Sequence, residues 1–304
     1  EFGDLIAAVY QVLVKAGAIV VAAEPAVPKL PSDYDALKKK GLVRKPANIV
    51  CSISDDRGAE ATYAGVPISE VAKDELGVGG AISLLWFRRR LPPYFCKFLE
   101  LCMITTADHG PCVSGAHNTI VAARAGKDLV SSLISGLATI GPRFGSALDD
   151  AARMFCEAFD LQLTPEKFVE KCKAEKTVIA GIGHRIKSLD NPDARVVLIK
   201  EYVKKHLSST PLLDFALAVE QVTTKKKASL ILNVDGCIAV CFVDLLRTCG
   251  EFSRSEADDF VRHGVLNGLF VSSRTLGLVG HFLDQRRLKQ PLYRHPQDDV
   301  TYLA

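Results

Sequence analysis

Asn233-Val-Asp-Gly-Cys-Ile-Ala-Val-Cys-Phe-Val-Asp-Leu-Leu-Arg-Thr-Cys-Gly250 is the stretch that decides the fold class. Residues 236–249 are apolar nearly all round and run into Gly250, the pattern of a helix buried on every side with a glycine stop. Working outward, Val196, Ile199 and Val203 recur at i, i+3 and i+7 and give residues 192–206 an apolar helical stripe. Thr164-Pro165 and Thr210-Pro211 each set a capping hydroxyl before a proline at the first helical position. Ser253 and Glu256 have the spacing of a capping box ahead of Phe260. Leu5, Ile6, Val9, Val12 and Leu13 predict a helix over 4–14 with Gly17 as its stop. Pro25, Pro28, Pro31, Pro46 and Lys38-Lys39-Lys40 make 24–50 read as an extended tether. A β-prone stretch at 49–54 and a turn at Asp55-Asp56-Arg57-Gly58 follow. Alternating strand patterns are otherwise scarce, so the chain is predicted to be mainly α, with no parallel sheet and no internal repeat.

Among 304 residues, 48% are hydrophobic and 24% charged, proportions that exclude a disordered chain. Thirty-eight basic residues against 35 acidic ones leave +3, too small a charge to point to nucleic acid. Lys15 and Glu24 interrupt the best apolar run, so no membrane span of roughly 20 residues is expected. No signal peptide is recognisable, and a cytoplasmic protein is expected. The chain opens Glu-Phe-Gly and its only methionines are Met103 and Met154, which reads as a piece of something longer. Its nine cysteines form no C-x-x-C, and its seven histidines do not pair with them at zinc-ligand spacing. They are expected to be reduced core residues, and no metal site is expected.

Four segments place polar groups in otherwise apolar, small-residue surroundings. Thr105-Thr-Ala-Asp-His109-Gly-Pro continues to Ser114-Gly-Ala-His117-Asn-Thr, and buried polar groups of this density each need a partner. Gly181-Ile-Gly-His184-Arg185 sets a proton-transfer group and a cation beside open backbone. It lacks the third glycine of a dinucleotide fingerprint and the lysine of a phosphate loop. Asp235, just ahead of the buried helix, has two readings: an N-cap, or a proton-abstracting base presented by apolar flanks. Arg195, Arg274 and Arg294 are three candidate carboxylate clamps, Arg274 lying within an apolar helix.

Taken in order, Asp108-His-Gly, Gly183-His-Arg with Asn191-Pro-Asp-Ala-Arg, Asn233-Val-Asp-Gly, Ser273-Arg-Thr-Leu-Gly and Pro291-Leu-Tyr-Arg-His-Pro resemble the citrate synthase superfamily. Tyr63-Ala-Gly-Val-Pro-Ile68 resembles its N-terminal turn. Thr106-Ala-Asp-His-Gly-Pro, Ser114-Gly-Ala-His-Asn-Thr, Ala123-Arg-Ala-Gly-Lys-Asp-Leu-Val-Ser-Ser and Leu283-Asp-Gln-Arg-Arg-Leu-Lys-Gln look more like the citrate-synthase-homology module of the ATP-citrate lyases. The likeness runs from about residue 30 to the end.

The resemblance implies a citrate-synthase-like, mainly α fold with a large helical domain (49–146 and 259–304) and a smaller, mobile helical domain (147–258). Residues 1–48 would be a helix and tether from a preceding module. It implies cleavage of citryl-CoA to acetyl-CoA and oxaloacetate, the last part of an overall reaction that starts from citrate, coenzyme A and ATP. ATP and Mg would act only through succinyl-CoA-synthetase-like modules absent from this chain. His109 matches the oxaloacetate-side histidine, His184 the histidine on the citryl hydroxyl, and Asp235 the carboxylate at the acetyl carbon. Arg195, Arg274 and Arg294 match the carboxylate-binding arginines, with Arg294 expected in the partner subunit's site of a homodimer or tetramer. Ile182, Gly183, Arg185, Lys226 and Lys227 fall where the family holds coenzyme A. Phe144, in Gly141-Pro-Arg-Phe-Gly-Ser-Ala-Leu, stands where citrate synthases carry a histidine that stabilises the acetyl enol. The lyases share that departure, and the group that polarises the thioester oxygen is left unnamed. A β-hydroxy thioester needs a base at its hydroxyl and an acid at the emerging carbon, tasks suited to a histidine and a buried carboxyl. The alternatives are a stand-alone citryl-CoA lyase, a citrate synthase-type condensing enzyme, and a helical oligomerisation scaffold with no activity.

Overall fold

The computed structural model describes residues 9, 12–13, 15–18, 34–43, 49–141, 144–145 and 147–303. The chain divides into two compact units, Glu1–Arg90 and Leu91–Ala304. Of the helix expected over 4–14, Val9, Val12 and Leu13 are helical and exposed, and Gly17 follows with φ of +70°. The remainder of that helix, and most of the expected tether, lie outside the described residues. The tether reading is corrected in its middle, where Tyr34–Lys39 form helix α1, with Asp35 in its first turn and Lys38 and Lys39 in its last.

The first unit holds the only named strands among the described residues: β1 (Ser54–Asp55), β2 (Thr62–Tyr63) and β3 (Val66–Pro67), paired antiparallel in the order β1-β2-β3. The β-prone stretch at 49–54 therefore contributes only its last residue to a strand. Ala64 and Gly65 join β2 to β3 with φ of +49° and +87°, the two positive values a tight hairpin turn demands. Ala64, Val66 and Leu84 form a small core, with Tyr63 and Val71 packed on it. Helices α2 (Ile68–Lys73) and α3 (Gly77–Phe87) complete the unit, and Arg90 is ion-paired to Asp74 and, at 2.7 Å, to Glu70.

The second unit is helical: α4 (Pro93–Thr106), α5 (Ser114–Arg124), α6 (Leu129–Leu137), α7 (Ala147–Asp160), α8 (Pro165–Ala174), α9 (Ala194–His206), α10 (Pro211–Thr224), α11 (Val234–Thr248), α12 (Arg254–Arg262) and α13 (Val265–Leu288). Helix α11 is buried at every position from Val234 to Leu246 except Asp235, and Gly250 has φ of +81°. Around it lie α7, α9, α10 and α12, while α13 packs on α4, α5 and α6 and also reaches α7. Val196, Ile199 and Val203 are the buried stripe of α9.

The capping box at Ser253 and Glu256 is formed, and Thr164 accepts from the Lys167 N–H. Thr210 is a correction. Its side chain makes no cap bond; the free N–H groups of Leu212 and Leu213 donate instead to Asp244 of α11, at 3.0 and 2.9 Å. In the same way Asp149 of α7 accepts from Leu266 and Asn267 at the start of α13. Two helices thus take their caps from distant residues, which ties α10 to α11 and α13 to α7. Among the described residues no helix is long and apolar enough to cross a membrane.

Candidate active site

The site is built where the loop before α9, the segment before α11, the end of α4 and the middle of α13 converge. Gly183 donates to Ile231 O (2.7 Å) and His184 to Ser229 O (2.9 Å), zipping the 181–184 loop to the segment that leads into α11. The glycines have separate uses. A Cβ on Gly181 would stand 2.5 Å from Gly236 Cα, so these two glycines let backbone meet backbone; Gly183, at φ +111°, is the open one.

Asn233 caps α11. Its side chain accepts from Gly236 N–H at 3.0 Å and donates to Gly183 O at 3.0 Å. The N-cap reading of Asp235 is thereby displaced, because the capping position is occupied two residues earlier. Asp235 lies in the first helical turn, where burial raises its carboxyl pKa against the opposing pull of Arg195, Arg274 and His109. Three of the sequence-selected residues thus favour the charged form of this half-buried carboxyl.

Arg274 is 4% exposed, and its Nε and Nη1 find no hydrogen-bond partner among the described residues. Its guanidinium sits 4.8 Å from the Phe270 ring centroid and 5.7 Å from that of Phe144. Burial lowers its pKa, with Asp108 and Asp235 pulling it back up. A buried guanidinium with two unused N–H groups is costly unless an anion completes it. Phe144 therefore forms part of the wall beneath this arginine. Gly277 lets α13 meet the end of α4, since a Cβ there would lie 2.3 Å from Ala107 O; His109, two residues beyond, is exposed. Thr106 and Ser273 pin the same crossing with a 2.8 Å hydrogen bond.

His184 Nδ1 accepts from the N–H groups of Ile186 (3.0 Å) and Lys187 (2.9 Å). In the neutral ring the proton therefore resides on Nε2. Burial lowers the His184 pKa, Asp193 opposes that, and Arg195, His109 and Lys187 add to it. Asp193 is the residue that sequence reasoning missed. It is 5% exposed, caps α9 through Arg195 N–H (3.0 Å), holds Arg195 Nε and Nη2 at 3.1 and 2.7 Å, and lies 3.9 Å from His184 Nε2. Arg195 beside it holds its carboxyl below the usual range. The signal was present as an Asp two residues before a selected Arg at a helix start. Asp108, also unselected, pairs with His281 at 2.9 Å.

The remaining selected residues lie apart from this cluster. Ile182 is half-buried and bridges to Leu232, while Arg185, Lys226 and Lys227 are exposed. The lysines occupy the turn that runs directly into Ser229, the partner of His184. Arg294 is exposed on the irregular segment beyond α13, and His117, in the same sequence segment as His109, meets the Tyr293 ring edge-on. No metal-binding group of three His, Cys, Asp or Glu side chains occurs among the described residues.

The helical unit thus carries Arg195 and Asp235 in the first turns of α9 and α11, Arg274 in the middle of α13, and His109 and His184 on loops, an arrangement that goes with a known class of helical enzyme. The family model "Citrate synthase, C-terminal domain" matches residues 22–296, and the chain belongs to the citrate synthase family. It is 60% identical over 303 residues to the ATP-citrate synthase of Mus musculus, covering all of this chain and 28% of that protein. It is 62% identical over 299 residues to the probable ATP-citrate synthase subunit 1 of Neurospora crassa, covering 98% of this chain and 45% of that one. The chain thus spans less than half of each of these relatives. The structure of ATP citrate lyase from Methanothrix soehngenii in complex with citrate and coenzyme A matches all of this chain and 49% of that one, at TM-score 0.83 and 52% identity. Citryl-CoA lyase from Hydrogenobacter thermophilus, at TM-score 0.72 and 24% identity over 84% of this chain and 94% of that one, shares the fold.

Proposed function

We propose that this chain is the citryl-CoA-cleaving module of an ATP-citrate lyase. The observation that carries the proposal is the buried Arg274, with two unused N–H groups, set in one cluster with Asp235, Arg195, His109 and His184. Citryl-CoA offers free carboxylates to Arg274 and Arg195 and a tertiary hydroxyl to His184. The sequence expectation of a base at His184 is narrowed by its geometry: the Nε2–H donates to the hydroxyl oxygen and holds it on course to become a ketone. The hydroxyl proton passes to the carboxylate of Asp193, which lies 3.9 Å from His184 Nε2, as the adjacent C–C bond breaks. Its electron pair passes to the thioester as an enolate, and the protonated Asp235 delivers a proton to the CH₂ carbon. Acetyl-CoA and oxaloacetate result, His109 lying on the oxaloacetate side. The raised pKa of Asp235 suits an acid that must hold its proton until this step.

Coenzyme A is assigned to Ile182, Gly183, Arg185, Lys226 and Lys227, a reading supported by the zipped loops that adjoin these residues. ATP and Mg belong to modules outside this sequence. The larger domain of 49–146 with 259–304 and the smaller, mobile 147–258 remain part of the proposal, supported by α4–α6 packing on α13 and by the cluster around α11. So does a homodimer or tetramer with shared sites. Ile104, Val130, Ile134, Leu276 and Leu283, on α4, α6 and α13, are between 57% and 71% exposed, apolar surface of the kind a second copy would cover. All nine cysteines are free, in keeping with a cytoplasmic setting.

The test supplies citryl-CoA to the purified chain without ATP. Acetyl-CoA and oxaloacetate are expected, and none from citrate, ATP and coenzyme A. ATP-dependent turnover by this chain would overturn the modular reading, and an inert chain would favour the scaffold.

A further inference from the structure

Beyond α13 the backbone leaves the helix at Lys289, whose φ is +50°, and residues 290–296 carry neither helix nor strand. Side chains hold this tail to α5. The Tyr293 ring meets His117 edge-on at 5.3 Å and 89°, and the Arg124 guanidinium lies 5.2 Å from the Tyr293 ring centroid. Arg124 Nε also donates to Pro291 O at 2.7 Å. Tyr293 OH and His295 Nδ1 share a 2.8 Å hydrogen bond, so the side chains at 293 and 295 lie on one side of the tail. Arg294, between them, is exposed to solvent.

We propose that Arg124, His117 and Tyr293 form a clamp whose task is to position Arg294 for a carboxylate in the site of a second copy of this chain. The inference rests on the proposed function above, and it accounts for His117, which the cluster around Asp235 does not use. The three are positioning residues. Without the clamp the tail samples many conformations, and the apparent affinity falls by the fraction of time Arg294 is presented.

The test uses the full-length protein assembled as its native oligomer, with citryl-CoA as substrate. Tyr293→Ala, which removes the ring from both Arg124 and His117, is expected to raise KM about 5–30-fold with kcat changed less than about threefold. Tyr293→Phe keeps the ring and should stay within about threefold of the parent on KM. In an Arg294→Ala background, Tyr293→Ala should add nothing, because it acts only through the arginine. Full additivity, or a parental KM in Tyr293→Ala while Arg294→Ala is impaired, would overturn the clamp alone. Parental kinetics in Arg294→Ala would instead overturn the underlying reading of Arg294. Mixing Tyr293→Ala subunits with His184→Ala subunits should restore the parental KM, since one site then pairs an intact His184 with a clamped Arg294. Heterodimers that form yet show no recovery would refute presentation to the partner. Unfolding temperature and oligomer size, measured alongside, should match the parent; a variant that loses its assembly would show the contacts to be structural and overturn the clamp.

Discussion

Asp235→Asn separates chemistry from architecture at the head of α11. The helix keeps its cap, because Asn233 accepts from Gly236 N–H at 3.0 Å without help from Asp235. The amide has almost the shape of the carboxyl and no charge to desolvate. The folded pKa of Asp235 is raised above its ordinary value by burial, so the folded state binds the proton more tightly than the unfolded chain. In the parent protein the raised pKa costs stability as pH rises from the ordinary carboxyl value through the raised one. In Asp235→Asn that slope should vanish, leaving the variant equally stable or slightly more stable at pH 7. Turnover should behave oppositely. An amide cannot deliver a proton to the acetyl carbon, and loss of acid–base catalysis costs about 10²–10⁴-fold, or about 2.7–5.4 kcal/mol of barrier. Stopped assays for acetyl-CoA with saturating citryl-CoA measure kcat, and calorimetry with oxaloacetate checks that product binding survives. The parent's kcat should fall as pH rises through the raised pKa of Asp235, the direction in which an acid catalyst loses its proton. A variant that keeps more than about a tenth of parental turnover, or that binds oxaloacetate much more weakly, would refute the assignment of Asp235 as acid.

Arg274→Met removes a buried charge with two unused N–H groups and fills a similar volume, so thermal unfolding should occur at the parental temperature or higher. Citryl-CoA and oxaloacetate binding should weaken about 10–150-fold, the worth of hydrogen bonds to a charged group, and a variant destabilised with binding intact would contradict a ligand-completed arginine. Gly181→Ala places a Cβ 2.5 Å from Gly236 Cα at φ of +81°, forcing the 181–184 loop off α11. A stability loss above about 1 kcal/mol with a fall in kcat is expected, whereas a neutral outcome would show that the loop and α11 need not touch.

Much of the fold is legible in sequence because its signals are local. The all-round apolar run of 236–249, the stripe of Val196, Ile199 and Val203, and the Ser253–Glu256 box each bias a backbone through neighbours within two turns. Asn233 was as local a signal as these, but the charge of Asp235 drew the capping role to the wrong residue. The site residues were also visible, as costly polar groups in apolar sequence. Tertiary structure alone decided which of them meet. His109 and His117, eight residues apart, part company because one follows the crossing of α4 with α13 and the other sits on the face of α5 that receives the tail. Asp244 and Asp149 cap helices whose starts lie 31 to 118 residues away in the chain, and Asp193 reaches His184 only because the 181–184 loop is folded back on the segment before α11. Local propensity fixes a helix through its own backbone; pairing of charges and unused N–H groups is settled only when packing excludes water and each buried polar group must find its partner in space.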